Sequence, residues 1–433
     1  MYFTDAYAGY TVCSPSRATL FTGRHSGHLV GAPSEWPLLP ELLRQAGYQT
    51  AVFGKSAPFD DSASPNAAEG LAWGLPTQFG FERFTGQADQ ALCHNMYPAA
   101  ITNNTSPLPL PLNAKNKSRE LCMAAPEQYS YTTDVFTDAA IGWLRTERVP
   151  SRPFFLFMSF TVPHAGGWGD APEFPEDGNP VPEDQGYAQR AWPEVERDHA
   201  ASVTHLDRRV GDLLAALDDQ QLSTSTIVWF ASDNGAHAEG GHDIRFFDST
   251  GGLRGFKRSY YEGGVRSPSI VRWPGVTPPG SVSATPWAFW DVLPTILEVV
   301  GVAPPAGAHL DGRSIVPALR GEAQPSPKYL YWTWHGNADD DFDVSGGRVA
   351  LSGASGYAAR VGGWKVVVHA CADQAALAPS DGDVMELYDL TVDPGERWDV
   401  AAQHPDQISS IKAVLAGEGL SCRCYQCPDS GAR

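Results

Sequence analysis

Cys13-Ser14-Pro15-Ser16-Arg17, followed by Phe21-Thr22-Gly23-Arg24, is the stretch whose residue types and spacing say most about chemistry. Pro15 suits the first turn of a helix and Gly23 its end. Cys13 then stands at a helix amino terminus, where free backbone N–H groups and the helix dipole favour an anion. Arg17 follows one turn later and adds a guanidinium. Lys55, Lys257 and the pair Pro163-His164 offer further cationic or proton-carrying groups. Asp233 and Asn234 supply adjacent hard oxygens, the donor type that Ca²⁺ or Mg²⁺ prefers. Each has a plainer reading: Arg17 on the surface, Lys55 in a solvated loop, Arg254, Lys257 and Arg258 as a solvated basic loop, His164 as a structural histidine, and Asn234-Gly235 as a turn.

The elements that must position these groups follow from hydrophobic pattern. Apolar runs at 48–53, 154–160, 227–231 and 269–273 are bounded by turn-forming residues and read as buried strands. Segments 39–46, 133–145, 195–217 and 290–300 have helical period. The alternation predicts an α/β fold, a mainly parallel sheet sandwiched by helices, whose ligands sit beyond the carboxyl ends of the strands. After Pro304 the texture becomes Pro-rich. Short strands at 329–333, 357–361 and 365–369 and a helix over 405–415 then predict a smaller carboxyl-terminal α+β domain. The boundaries are 1–305 and 306–433. Residues 102–116, rich in Asn and Leu-Pro, read as a surface insertion and not as a packed element.

The Cys-x-Pro-Ser-Arg stretch with its Thr-Gly-Arg end closely resembles the signature of the type I, formylglycine-dependent sulfatases of the alkaline-phosphatase-like superfamily. The likeness continues in order through 47–55, His94-Asn95, Pro163-His164, Asp233-Asn234-Gly235, 252–258, Glu262-Gly263-Gly264 and 386–390, and so spans the chain to about residue 415. The resemblance implies that Cys13 is oxidised to formylglycine by a generating enzyme. One hydroxyl of the hydrated aldehyde would attack sulfur and the other, once deprotonated, would expel sulfate by re-forming C=O. Arg17 would hold the diol, Lys55 would bridge diol and sulfate, Lys257 would be a second sulfate-binding lysine, and His164 would protonate the leaving alcohol or hold the sulfate. His94 resembles a position near the substrate. Asp233, Asn234 and the modified Cys13 would hold Ca²⁺ or Mg²⁺. His237 and His242 read as loop residues of unknown role.

Two departures stand out. Family members ordinarily begin with a buried strand ending in paired aspartates that complete the metal site. The sequence given starts after it, so the expectation is a truncated chain with weakened metal binding. After Lys55 the family often carries Trp and then His or Gly, whereas Ser56-Ala57-Pro58 stands here, which shifts the expected substrate.

A net charge of -19 excludes nucleic acid and anionic membranes as partners, because those are held by clustered Lys and Arg. No apolar run of about 18 residues occurs, so no membrane span is expected. Met1 to Tyr10 lack the pattern of a leader, yet Asn103-Asn104-Thr105, Asn104-Thr105-Ser106 and Asn116-Lys117-Ser118 are glycosylation acceptor patterns. With formylglycine formation in the eukaryotic secretory route, they point to an extracellular or lysosome-like glycoprotein. The seven cysteines include Cys422, Cys424 and Cys427 in the tail, whose pairing the spacing leaves open. The expected substrate is a sulfated small molecule or saccharide, with Trp168, Trp192, Trp332, Trp334 and Trp364 as stacking candidates. Competing functions are a non-catalytic relative that keeps an anion pocket, and a phosphate or phosphonate ester hydrolase on the same scaffold.

Overall fold

The structure is a computed structural model that describes residues 1–29, 37–56, 74–89, 92–115, 117–167, 178–334, 356–370 and 384–420. The chain divides into two compact units. One comprises Met1–Gly31, Ile227–Ala236 and Phe247–Arg433, the other Ala32–Thr226 and His237–Phe246.

The second unit is built on a five-stranded sheet in the order Ser106–Pro109, Ala100–Asn103, Arg83–Gln87, Gln49–Lys55, Phe154–Ser159. Gln49–Lys55 runs parallel to both neighbours and all seven of its residues are buried. That burial is why it reads as a continuous apolar run rather than an alternating one. Gly54 is required at its end: φ is +110°, and a Cβ there would lie 2.1 Å from the carbonyl oxygen of Ser159. Helix Thr132–Gly142 packs on this strand and on the long helix Glu194–Asp219.

The first unit holds a four-stranded sheet, Val282–Ser283, Tyr2–Phe3, Ser269–Arg272, Val228–Ala231, and a short parallel pair, Ala6–Tyr7 with Trp287–Ala288. Helix Cys13–Thr22 follows the pair and packs on helix Val292–Val300. The carboxyl-terminal strands Leu330–Trp334, Gly356–Val361, Trp364–Ala370 and Val384–Asp389 form an antiparallel sheet. Ile411 and Leu415 of helix Pro405–Gly417 close its core against Tyr331, Tyr357, Val366 and Leu387.

A buried charge cluster ties this sheet to the rest of its unit. Lys365 Nζ lies 2.9 Å from Glu262 Oε1 and 2.9 Å from Glu396 Oε1, and all three side chains are fully buried. Burial pushes the Glu396 carboxyl up to about 7, against the pull of Lys365. For Glu262 burial acts upward too, but Lys365, Arg266 and Arg360 together hold its carboxyl below the ordinary value. Paired and hydrogen-bonded charges tolerate such burial; a single one does not.

Three expectations are corrected. Residues 102–115 do lie at the surface, Ser106 to Pro109 being exposed, but they form regular structure: Ala100–Asn103 and Ser106–Pro109 make a hairpin, and Asn113 is buried with its amide donating to the carbonyls of Pro98 and Ser130. Pro107 and Pro109 are tolerated there because the strand lies at the sheet's edge, where no ladder donor is needed from them. Asn104 takes the left-handed turn position at φ 54°. Second, the runs at 154–158 and 228–231 are not fully buried: Phe154 to Met158 are half-buried and Phe230 is 39% exposed, each run being the terminal strand of its sheet. Third, Val384–Asp389 is a strand that the apolar pattern did not single out.

Candidate functional site

In the first unit the helix begins at Cys13, as Pro15 and Gly23 require. Gly23 closes it at φ 69° with its N–H on the carbonyl of Thr19. Val12, in the N-cap position, is extended and has no side chain that caps the helix, so the first-turn N–H groups beside Cys13 receive no side-chain cap from it. Cys13 is buried, as is Arg17 one turn on, whose Nη1 donates to the Asp233 carboxylate. Asp233 and Asn234 follow the strand Val228–Ala231 directly.

The turn after them is held by backbone. Gly235 N–H donates to Gly264 O at 2.9 Å, and a Cβ on Gly235 would come within 1.9 Å of Gly263 O, so the approach of the Glu262-Gly263-Gly264 segment demands glycine. Asn234 Nδ2 donates to Gly235 O at 2.8 Å, while Asn234 Oδ1 is buried without a hydrogen-bond partner among the described residues. Beside the partly exposed Asp233 carboxylate, an orphaned buried oxygen is what a hard cation would satisfy. The residues present therefore fit Ca²⁺ or Mg²⁺, as two oxygen ligands of the ~6 such an ion takes.

Lys257 reaches the same neighbourhood through its main chain: Lys257 N–H donates to Ala236 O and Arg258 N–H to Thr11 O, two residues before Cys13. The Lys257 side chain is buried. Arg254 turns the other way, stacking at 3.8 Å on Tyr261 and pairing with Glu386 at 3.3 Å. The 252–258 segment is thus no solvated basic loop.

In the second unit the cationic set is a chain of contacts. Lys55, the last residue of its strand, is buried with Nζ 2.7 Å from His94 Nε2. The His94 ring stacks on His164 at 4.1 Å. His164 Nδ1 faces Ala165 O at 2.6 Å, which places its proton on that nitrogen, and Nε2 lies 3.2 Å from Glu239 Oε2. His237, whose Nε2 donates to Pro163 O at 2.8 Å, also stacks on His164, at 5.7 Å. His242 Nδ1 lies 2.7 Å from Glu196 Oε2 and its ring stacks at 3.9 Å on His199. Burial, then the neighbouring His242 and His237, push the His199 imidazole down to about 3.

Cys13, Arg17, Asp233, Asn234 and Lys257 therefore share one unit, and Lys55, His94 and His164 the other. Glu239 and His237 were not foreseen as partners of His164; their only signal was that they follow Asp233-Asn234-Gly235 within a few residues. Of the tryptophans, Trp332 is fully buried with Nε1 donating to Ala8 O, and is no sugar platform. Trp364 packs at 5.0 Å on His404. Trp192 is half-exposed beside Tyr187. Trp168, the Trp334 side chain, Asn116, Ala57, Pro58 and the three tail cysteines lie outside the described residues, while Cys13, Cys93 and Cys122 are buried thiols.

Comparison with known proteins shows the family and the fold. The sulfatase family model matches residues 1–302. Steryl-sulfatase of Mus musculus is 35% identical over 70% of this chain and 47% of its own length. Arylsulfatase A of Homo sapiens is 30% identical over 95% of this chain and 79% of its own. The chain thus spans about half of the mouse relative. The solved structure of Ps i-CgsB with k-i-k-neocarrahexaose superposes at a TM-score of 0.72, with 20% identity, covering 99% of this chain and 88% of that one, which shows the shared α/β fold. No helix among the described residues is long and apolar enough to cross a membrane.

Proposed function

Because the chain belongs to the sulfatase family, we propose that it is a sulfuric ester hydrolase acting on sulfate monoesters through a formylglycine made from Cys13. The observation that carries this is the buried Cys13 at a helix start that Val12 leaves without a side-chain cap, with Arg17 one turn on and bound to Asp233 beside the orphaned Asn234 oxygen.

Sulfate monoesters resist nucleophiles because the approaching oxygen meets a negative group, so positive charge must surround the sulfuryl oxygens. Oxidised and hydrated, residue 13 supplies a gem-diol: one hydroxyl attacks sulfur as the ester S–O bond breaks, and the other, on losing its proton, re-forms C=O and expels sulfate. Asp233 and Asn234 would hold the divalent cation, which would supply charge favouring ionisation of the diol. Arg17 holds residue 13 and the Asp233 carboxylate in register. Lys257 and Lys55 are assigned to the sulfate by the order of the motifs, His94 to the substrate through its contact with Lys55, and His164 to the proton that the leaving alcohol takes up. Glu239, 3.2 Å from His164 Nε2, is placed to orient that ring.

The substrate class we favour is a sulfated saccharide or small sulfate ester, supported by the neighbour solved with k-i-k-neocarrahexaose and by half-exposed Trp192. The formylglycine-generating enzyme is the partner required in biosynthesis. A secretory, extracellular or lysosome-like setting, and the division into a catalytic domain over 1–305 and a small domain over 306–433, belong to the same proposal. The test is turnover, by protein coexpressed with the generating enzyme, of a chromogenic aryl sulfate against the matching aryl phosphate. Preference for the sulfate by orders of magnitude is expected. Preference for the phosphate would favour the phosphoryl-transfer reading, and no turnover by formylglycine-bearing protein would favour a non-catalytic relative.

A further inference from the structure

Immediately beyond the Cys13–Thr22 helix, the turn Gly23-Arg24-His25-Ser26-Gly27-His28 is clasped to the segment around Asp311. The main chains are tied first: Asp311 N–H and Gly312 N–H both donate to Gly23 O, at 3.0 and 3.1 Å. Asp311 Oδ2 accepts the His25 N–H at 3.0 Å, which aims Oδ1 at the two imidazoles. His28 Nδ1 lies 2.7 Å from that Oδ1 and His25 Nε2 3.6 Å from it. The two rings stack at 4.5 Å, and one donor atom from each of the three residues falls within 4.8 Å of the others. Tyr329 Oη stands 3.2 Å from His25 Nε2. His25 and Asp311 are buried, at 1% and 8% side-chain exposure, and His28 is 34% exposed, so the cluster is preformed and open on one side.

We propose that His25 Nε2, His28 Nδ1 and Asp311 Oδ1 form a binding site for a borderline divalent transition-metal ion, Zn²⁺ foremost, distinct from the hard-oxygen pair Asp233 and Asn234. Two imidazole nitrogens and one carboxylate oxygen are the donor set that Zn²⁺ takes, whereas Ca²⁺ and Mg²⁺ prefer oxygen throughout. The fourth position falls to water from the exposed His28 side or to Tyr329 Oη.

The proton balance is explicit. The ion takes the place of the proton between His28 Nδ1 and Asp311 Oδ1: from the neutral ring that proton moves to His28 Nε2, and from the imidazolium, which already carries one on Nε2, it goes to solvent. His25 Nδ1 now accepts the Gly27 N–H at 3.1 Å, which leaves the ring proton on Nε2. Loading moves this proton to Nδ1 and gives up the Gly27 contact, a local change in a turn. Tetrahedral donors around an ion at roughly 2.0–2.2 Å stand about 3.3–3.6 Å apart, so the 3.6 Å His25–Asp311 contact already fits and the 2.7 Å His28–Asp311 contact opens by about 0.6–0.9 Å on loading. The consequence is structural: the ion would pin the carboxyl end of the helix that begins at Cys13 to the 309–312 segment.

The test uses the full chain in calcium-containing buffer, stripped of transition metals and then titrated with Zn²⁺ against a chromophoric chelator. Wild type, His28→Gln and Asp311→Asn are compared, so that zinc taken up by thiols is common to all three. One more tightly bound Zn²⁺ in the wild type is expected, with at least about a 100-fold weakening in each variant, and a Zn²⁺-dependent rise in Tm that both variants lack. Since half-exposed His28 can change without unfolding the chain, its variant keeps the test decisive. Equal zinc content and equal thermal response in all three proteins would overturn the site.

Discussion

Replacing Lys365 by Met should be the most damaging single change in the first unit, and its damage should depend on pH in a direction the structure dictates. The ammonium lies 2.9 Å from both Glu262 and Glu396, and all three side chains are fully buried. Arg266, 3.3 Å from Glu262, would still face that carboxylate, and the Tyr7 hydroxyl would still donate to it. Among the described residues, Glu396 would be left with a single backbone donor, the Glu262 N–H at 2.6 Å. Removing one partner of a buried pair costs about 3–5 kcal/mol. Glu396 already has its folded pKa raised to about 7 from an ordinary 4.5. A raised carboxyl binds more protons in the folded state, so its penalty is fully present above pH 7 and fades as pH falls towards 4.5. Without Lys365 the rise is larger and the window extends upward. The variant should therefore lose about 3–5 kcal/mol at pH 8 and recover part of it at pH 5.5 by protonating Glu396, and Lys365→Met with Glu396→Gln should be more stable at pH 8 than Lys365→Met alone. Urea unfolding followed by tryptophan fluorescence at the two pH values reads all three proteins. An equal loss at both, with no rescue by the second substitution, would refute the reasoning. Activity should fall with stability, because Glu262 opens the segment whose Gly264 carbonyl holds Gly235 beside Asn234.

Other outcomes follow from the same geometry. Gly54→Ala, which puts a Cβ 2.1 Å from Ser159 O at a positive φ, should cost roughly 1–3 kcal/mol or more in thermal unfolding and lower turnover by displacing Lys55. His164→Ala should lower kcat by about 10²–10⁴ on esters of poorly acidic alcohols and by less on aryl esters, whose leaving groups need less protonation; equal losses on both would remove His164 from the proton-donor role. Glu239→Gln, which removes the carboxylate 3.2 Å from His164 Nε2, should lower kcat on esters of poorly acidic alcohols more than on aryl esters; equal losses on both would remove Glu239 from a role in orienting His164. Exhaustive chelation should abolish activity, and added Ca²⁺ or Mg²⁺ should restore it in the wild type but less completely in Asn234→Ala.

Much of the architecture was legible because local chemistry and tertiary placement agree. Pro15 and Gly23 mark the ends of the helix that begins at Cys13, and the 48–53 run becomes the buried Gln49–Lys55 strand because parallel neighbours flank it on both sides. Legibility failed where a rule of thumb met an edge. Pro107 and Pro109 read as loop punctuation, yet a terminal strand tolerates residues without N–H. Strand character at Phe154–Ser159 and Val228–Ala231 was right and full burial was not, since an apolar run does not say how many neighbours its strand will have. In the candidate site, residue identities came from motif order, but the stack of His94, His164 and His237 and the reach of Glu239 to His164 depend on loop packing that no spacing encodes. Glu262, Lys365 and Glu396 lie too far apart in sequence for their cluster to be read from it, and Trp332, a candidate sugar platform by type, is core by position.

The central claim is that residue 13 acts as formylglycine and not as cysteine, and mass spectrometry of the peptide carrying it, in a preparation titrated for sulfate-ester turnover, tests this most directly. The account predicts that activity rises in proportion to the fraction of formylglycine at residue 13 and vanishes in Cys13→Ala. Full turnover from protein whose residue 13 is an unmodified thiol would contradict it.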